Sequence, residues 1–184
     1  MQAQEGGENR FSPLGRMHRM LENRHNYYMQ MAIREAQIAL AEGEVPTGCV
    51  IVRVASENSS HNVVIAKAHN LVERLKDPTA HAEMLAITQA AEALGDWRLI
   101  NTILYVTKEP CAMCAGAIVL ARIPTVVFGV ADPRRGGAVS VFNILQNPQL
   151  NHRCTVVQGI LESECRMLLQ SFFREVRQTD GDRD

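Results

Sequence analysis

At 184 residues, 46% of them hydrophobic, the chain has material for one domain with a sizeable core and not for two. A formal charge of only −1 excludes a polycation that coats nucleic acid indiscriminately, so any contact with nucleic acid must come from a local patch. Cys49, Cys154 and Cys165 lie in apolar runs and suit buried thiols, no disulfide framework is indicated, and neither a membrane span of ~18 apolar residues nor a signal peptide is visible, so a reducing, cytoplasmic setting is expected.

Residues 1–25 are polar and uneven, with Arg10, Arg16, Arg19 and Arg24 set among Glu5, Glu8 and Glu22, and read as a flexible extension. From 27 to 41, Met31, Ala32, Ala36, Ile38, Ala39 and Leu40 give one apolar helical face, and Gly43 marks its stop. Glu44-Val45-Pro46-Thr47-Gly48 leads into a β-branched strand at 49–54, which a second strand at 63–66 joins as a hairpin across a polar turn. Asp77-Pro78-Thr79 supplies capping residues for a helix over 80–94.

A strand at 102–107, a helix at 111–121 and a strand at 125–129 follow, an order that predicts parallel pairing. Ligands of such sheets gather outside the C-terminal ends of the strands, where Cys111 falls. A short helix is expected at 139–145, a last strand at 154–157 and a closing helix at 161–177. The stripe of that helix, Leu161, Cys165, Leu168, Leu169, Phe172 and Val176, should pack on the sheet. The chain thus reads as an extension to residue 25, a domain over 26–178 and a polar tail at 179–184.

Two of these helix starts carry the chemistry. Cys111 and Cys114 stand one turn apart, so both sulfurs can hold the same ion, and His81 offers a third ligand. Residues two apart on a helix point away from each other along its flank, yet at the first turn both side chains can reach a point beyond the helix end. His81 and Glu83 can therefore share a site only in front of their helix. Two thiolates and a neutral imidazole balance Zn²⁺ and leave a fourth tetrahedral position open, the mark of a catalytic zinc. Glu83 is then the acid/base that takes a proton from water and delivers it to the substrate.

Beyond the metal motif, Arg134 and Arg135 lie in a glycine-bearing loop and read either as phosphate contacts or as a solvated turn. Phe173, off the apolar stripe and beside Arg174 and Arg177, reads either as a platform for single-stranded bases or as an interface aromatic. Two other readings of the cysteines stay open. A redox C-x-x-C leaves His81 and Glu83 without a role, and a structural zinc needs a fourth ligand such as His69.

His81-Ala82-Glu83 followed by Pro110-Cys111-Ala112-Met113-Cys114 resembles the signature of the cytidine and nucleobase deaminase superfamily. The flanks Glu44 to Gly48, Ala68-His69-Asn70, Asp77 to Glu83, Phe128 to Asp132, Asn151-His152-Arg153 and Ser171 to Arg174 are similar to its branch that acts on adenosine in tRNA. The resemblance covers about 26–178 and implies a three-layer α/β/α sandwich around a mixed five-stranded sheet, one Zn²⁺ per subunit and a homodimer. It implies hydrolysis of adenosine to inosine at the wobble position (34) of a tRNA anticodon, with guanine, cytosine or cytidine as alternative substrates. It also sets Asn70 against the target base, the loop around Pro46 along the pocket, and Asp132 near the ribose. The turn at 55–62 is longer than the family pattern.

Overall fold

A computed structural model describes residues 13–55 and 61–181. In chain order, α1 (Pro13–Ala41) precedes β1 (Gly48–Arg53), β2 (Val63–His69), α2 (Val72–Leu75) and α3 (Ala82–Leu94). β3 (Thr102–Lys108), α4 (Ala112–Leu120), β4 (Thr125–Val130), β5 (Thr155–Gln158) and α5 (Glu162–Gly181) complete the fold. The five strands form one sheet in the order β2-β1-β3-β4-β5. β1 runs antiparallel to β2 and β3, whereas β3, β4 and β5 are parallel, with Val106 opposite Phe128 and Val126 opposite Val156.

Side chains alternate across the pleat, and both faces of the sheet are buried. Cys49, Ile51, Leu104, Val106, Val126 and Phe128 face a core shared with Ala82, Ala86 and Ala90 of α3 and Ala115 and Ile118 of α4. Val50, Val52, Tyr105 and Val127 face the opposite core, with Met29 and Ala32 of α1 and Cys165 of α5. The mixed three-layer sandwich is thus the observed architecture, and the crossovers from β2 to α3 and from β3 to α4 bring two helix starts to the same end of the sheet.

The structure departs from the sequence expectations in particular places. The first helix reaches back to Pro13 instead of beginning at 27, so residues 13–25 of the expected flexible extension are helical; 1–12 lie outside the described residues. Proline suits the first turn, and no proline or glycine interrupts the run from Arg16 to Glu42. The helix is already docked before residue 27: His25 Nδ1 lies 3.0 Å from the Tyr105 hydroxyl. The hairpin of β1 and β2 is present, while residues 56–60 of its long turn lie outside the described residues.

No helix forms at 139–145. The N–H groups of Val139 and Ser140 go to the Glu109 carboxylate, those of Val141 and Phe142 to the Gly136 carbonyl, and that of Ile144 to the Gly137 carbonyl, so the donors a helical ladder would need are engaged elsewhere. Leu161, just before α5, and Cys165 and Leu169 on it reach the core as expected, but Val176 is exposed and Phe172 turns toward a cavity.

Candidate active site and metal centre

His81 is the N-cap of α3 and Cys111 the N-cap of α4, each with extended backbone, and neither turns its side chain back to cap its own helix. Both side chains are therefore free to point ahead of the helix starts, where Cys114, third residue of α4, joins them. His81 Nδ1 lies 3.7 Å from Cys111 Sγ and 3.5 Å from Cys114 Sγ, and the three donor atoms all lie within 4.8 Å of one another. Tetrahedral zinc with ordinary Zn–S and Zn–N lengths sets its nitrogen and sulfur ligands about 3.6 Å apart. The residues present fit zinc.

The titration of the three groups fits as well. A hydrogen bond between the sulfurs holds the Cys111 thiol down at about 3 and pushes the Cys114 thiol up, and the bond to Cys111 raises His81. The pair thus favours one thiolate, and a bound dication would displace the remaining proton. His69 does not join this set. Its two ring nitrogens face Glu35 and Glu42, each at 3.4 Å, so a structural fourth ligand is not supplied there.

A cavity of about 200 Å³ opens beside the metal ligands, lined among others by Val45, Thr47, Asn70, His81, Glu83, Cys111, Asp132 and Phe172. Four buried carboxylates border it, Glu44, Glu83, Glu109 and Asp132, and their hydrogen bonds separate their roles. Glu44 accepts the N–H groups of Glu73 and Arg74 at 3.1 and 2.8 Å. Glu109 accepts N–H groups from Asp132, Val139 and Ser140 at 2.8 to 2.9 Å, and the Ser140 hydroxyl. Only Glu83, 3% exposed, keeps a buried oxygen without a partner among the described residues, Oε2. Burial raises its carboxyl, and the nearby His81 works against that rise. An unpaired, buried carboxylate beside a metal set is what a proton shuttle needs.

Asn70 stands after β2 with its carbonyl oxygen accepting the Ala82 N–H at 2.9 Å, across the start of α3. Its NH₂ is then what it can offer the cavity. Pro46 is buried between Val45 and Thr47, which line the cavity while the proline itself does not. Asp132 and Lys108, paired at 2.6 Å, stand where the cavity meets a second, basic groove of about 590 Å³. Arg134, Arg174, Arg177 and Phe173 line that groove, so Arg134 and Phe173 lie beside the base cavity and not within it.

Phe172, Lys108 and Glu109 border the site but were not singled out by their residue types. Phe172 reads as part of an apolar stripe; the signal for Lys108 and Glu109 is their position, where a strand end runs into Pro110-Cys111.

Comparison with known proteins agrees with this geometry. A family model for the cytidine and deoxycytidylate deaminase zinc-binding region matches residues 22–130. The chain is 50% identical over 150 residues to the tRNA-specific adenosine deaminase of Bacillus subtilis (strain 168), covering 82% of this chain and 89% of that one. It is likewise 50% identical over 151 residues to the protein of the same name from Aquifex aeolicus (strain VF5), covering 82% and 95%. A solved structure from work on A-to-I editing by tRNA:A34 deaminases superposes with a TM-score of 0.71 at 40% identity, covering 78% of this chain and 99% of that one.

Proposed function

The chain belongs to the family of the cytidine and deoxycytidylate deaminase zinc-binding region, and from that membership we propose that it hydrolyses adenosine to inosine at position 34, the wobble position, of a tRNA anticodon. The observation that carries the chemistry is the lone unpartnered oxygen of Glu83 beside a His-Cys-Cys set of zinc spacing. Relatives half identical over most of the chain support adenosine in tRNA as the substrate.

Zinc held by His81, Cys111 and Cys114 supplies the Lewis acidity that makes water a nucleophile at neutral pH. The protein's own residues do the rest. Glu83 removes a proton from the water attacking C6 and passes it to N1 of the purine, then carries the remaining proton of the new C6 hydroxyl to the amine as the C6–N bond breaks, so that adenosine and water become inosine and ammonia. The Asn70 NH₂ orients the base from the cavity wall, and the buried Pro46 stiffens the opposite loop. Asp132 takes the ribose at the rim; Arg134 and Phe173 take the flanking phosphate and base in the groove.

Residues 26–178 make up the deaminase domain in this reading. Its partner is a second copy in an isologous dimer, for which an apolar face along α4, lined by Ile87, Ala91, Trp97 and Leu120, offers the surface. Among the described residues no helix is long and apolar enough to cross a membrane; a tRNA substrate supports a cytoplasmic setting in this reading.

The test is an anticodon stem-loop with adenosine at position 34, assayed beside free adenosine, cytidine and guanine, with and without a chelator. Inosine should form in the stem-loop alone, stop on chelation and return with added zinc. Faster ammonia release from guanine or cytidine, with the stem-loop untouched, overturns the assignment. Glu83→Ala should retain its zinc while turnover falls by about 10²–10⁴-fold; undiminished turnover removes Glu83 from the mechanism.

A further inference from the structure

Glu109 is a carboxylate at 2% exposure, placed just before Pro110-Cys111, that the reaction above does not use. Its acceptor positions look into a single loop. Oε2 takes the Asp132 N–H at 2.8 Å and the Ser140 hydroxyl, while Oε1 takes the N–H groups of Val139 at 2.8 Å and Ser140 at 2.9 Å. Donors from both ends of the segment 132–140 thus converge on one side chain that stands at the end of β3.

The loop wraps this carboxylate closely. A Cβ at Gly136 would come within 2.4 Å of the Glu109 carboxylate carbon, and one at Gly137 within 2.8 Å of the Cys111 carbonyl. The Gly137 N–H donates to the Pro110 carbonyl at 2.7 Å, and Cys111 pairs with Gly136 as an isolated bridge. The same loop carries Asp132 and Arg135, which border both the cavity and the groove, and Arg134, which borders the groove.

We propose that Glu109 is a positioning residue for tRNA binding: its carboxylate fixes the loop 131–140 on the rim of the base cavity, so that Asp132, Arg134 and Arg135 meet the incoming nucleotide. This rests on the reading of the site as a tRNA deaminase. A carboxylate is required because every partner is a donor. A glutamine amide offers one acceptor oxygen; with that oxygen on the Val139 and Ser140 N–H groups, its NH₂ faces the Asp132 N–H, which stays unpaired inside the protein, and the Ser140 hydroxyl must turn from donor to acceptor.

The experiment compares wild type with Glu109→Gln in the full chain by amide hydrogen exchange, zinc content and steady-state kinetics on the anticodon stem-loop. In the variant the Asp132 amide, which loses its acceptor, should lose protection first and most, the Val139 and Ser140 amides less, and zinc should stay at the wild-type level. KM should rise at least about tenfold while kcat stays within about threefold. Ser140→Ala, which removes one hydroxyl donor and leaves the carboxylate, should shift KM the same way by less, and keeps the test if the glutamine variant does not fold.

An unchanged KM in both variants overturns the proposal, as does a collapse of kcat at constant KM, which would put Glu109 in the chemistry. Loss of zinc from folded Glu109→Gln also overturns it, making the residue a support of the metal centre. If wild type itself leaves the stem-loop adenosine intact, the deaminase assignment falls, and retained or lost protection of the loop amides still decides whether Glu109 holds the loop.

Discussion

A buried carboxylate does different work according to what fills its lone pairs, and Asp132 shows a case between the free Glu83 and the saturated Glu109. Its Oδ1 accepts the N–H groups of Arg134 and Arg135 at 3.0 and 3.2 Å, and its Oδ2 meets Lys108 Nζ at 2.6 Å. Burial alone would raise its carboxyl, but the Lys108 bond and the two backbone donors outweigh it and hold it below the ordinary 3.8. A depressed native value means that the ionised form stabilises the fold in full above 3.8 and that this stabilisation is lost as pH falls through the lowered value. Asp132→Asn should therefore cost about 1–3 kcal/mol near neutrality, less than breaking a fully buried pair because Lys108 is partly exposed. The melting-temperature gap between variant and wild type should close as the pH drops below about 4. A gap that stays constant across the acid range would show that the ion pair contributes nothing. His81, Cys111 and Cys114 were legible in the sequence because metal geometry dictates residue type and spacing. Glu109 and Lys108 were not, since a carboxylate that gathers backbone N–H groups leaves no trace in residue spacing.

α3 begins under the carbonyl of Asn70, a residue of another segment, and this cap sets the angle at which His81 and Glu83 enter the site. Asn70 thus serves the helix with its oxygen and, in the proposed reaction, would serve the substrate with its NH₂, and substitutions can separate the two. Asn70→Ala removes both functions and should cost about 1 kcal/mol of stability together with substrate binding. Asn70→Asp keeps the acceptor oxygen and should recover most of that stability, while kcat/KM on the stem-loop stays low for want of the donor. Equal melting temperatures for the two variants would remove the capping role. The strands, α3, α4 and α5 were readable because β-branched apolar runs and apolar periodicity lie within each element, whereas the cap of α3 comes from Asn70 and not from the expected Asp77-Pro78-Thr79. The backward reach of α1, the four-residue α2 and the missing helix at 139–145 depend on distant partners: Tyr105 for His25, Glu44 for the start of α2, and Glu109 for the loop. Local pattern carries no record of those partners.

At the scale of the whole molecule, the same nine-residue helix that brings Cys111 and Cys114 to the metal centre ends in Leu120, which is 69% exposed. A single exposed leucine is ordinary, but Leu120 joins two adjacent apolar grooves, one lined by Ile87, Ala91 and Trp97 and the other by Gly116, Val119, Ile144 and Leu150. In the proposed dimer this apolar face on α4 is the surface through which two copies would pack, and it would tie assembly to the site. Wild type at micromolar concentration should sediment at twice the 20.5 kDa of one chain, with a melting temperature that rises with protein concentration. Leu120→Asp places a charge at the centre of that face and should sediment as one chain. Because α4 carries both sulfurs at its other end, loss of the partner should also lower stem-loop deamination most strongly in dilute enzyme, where wild type itself begins to dissociate. A wild type that sediments as one chain, or a Leu120→Asp variant that stays paired, would remove this face as the dimer contact and leave α4 to hold the metal centre without a neighbour.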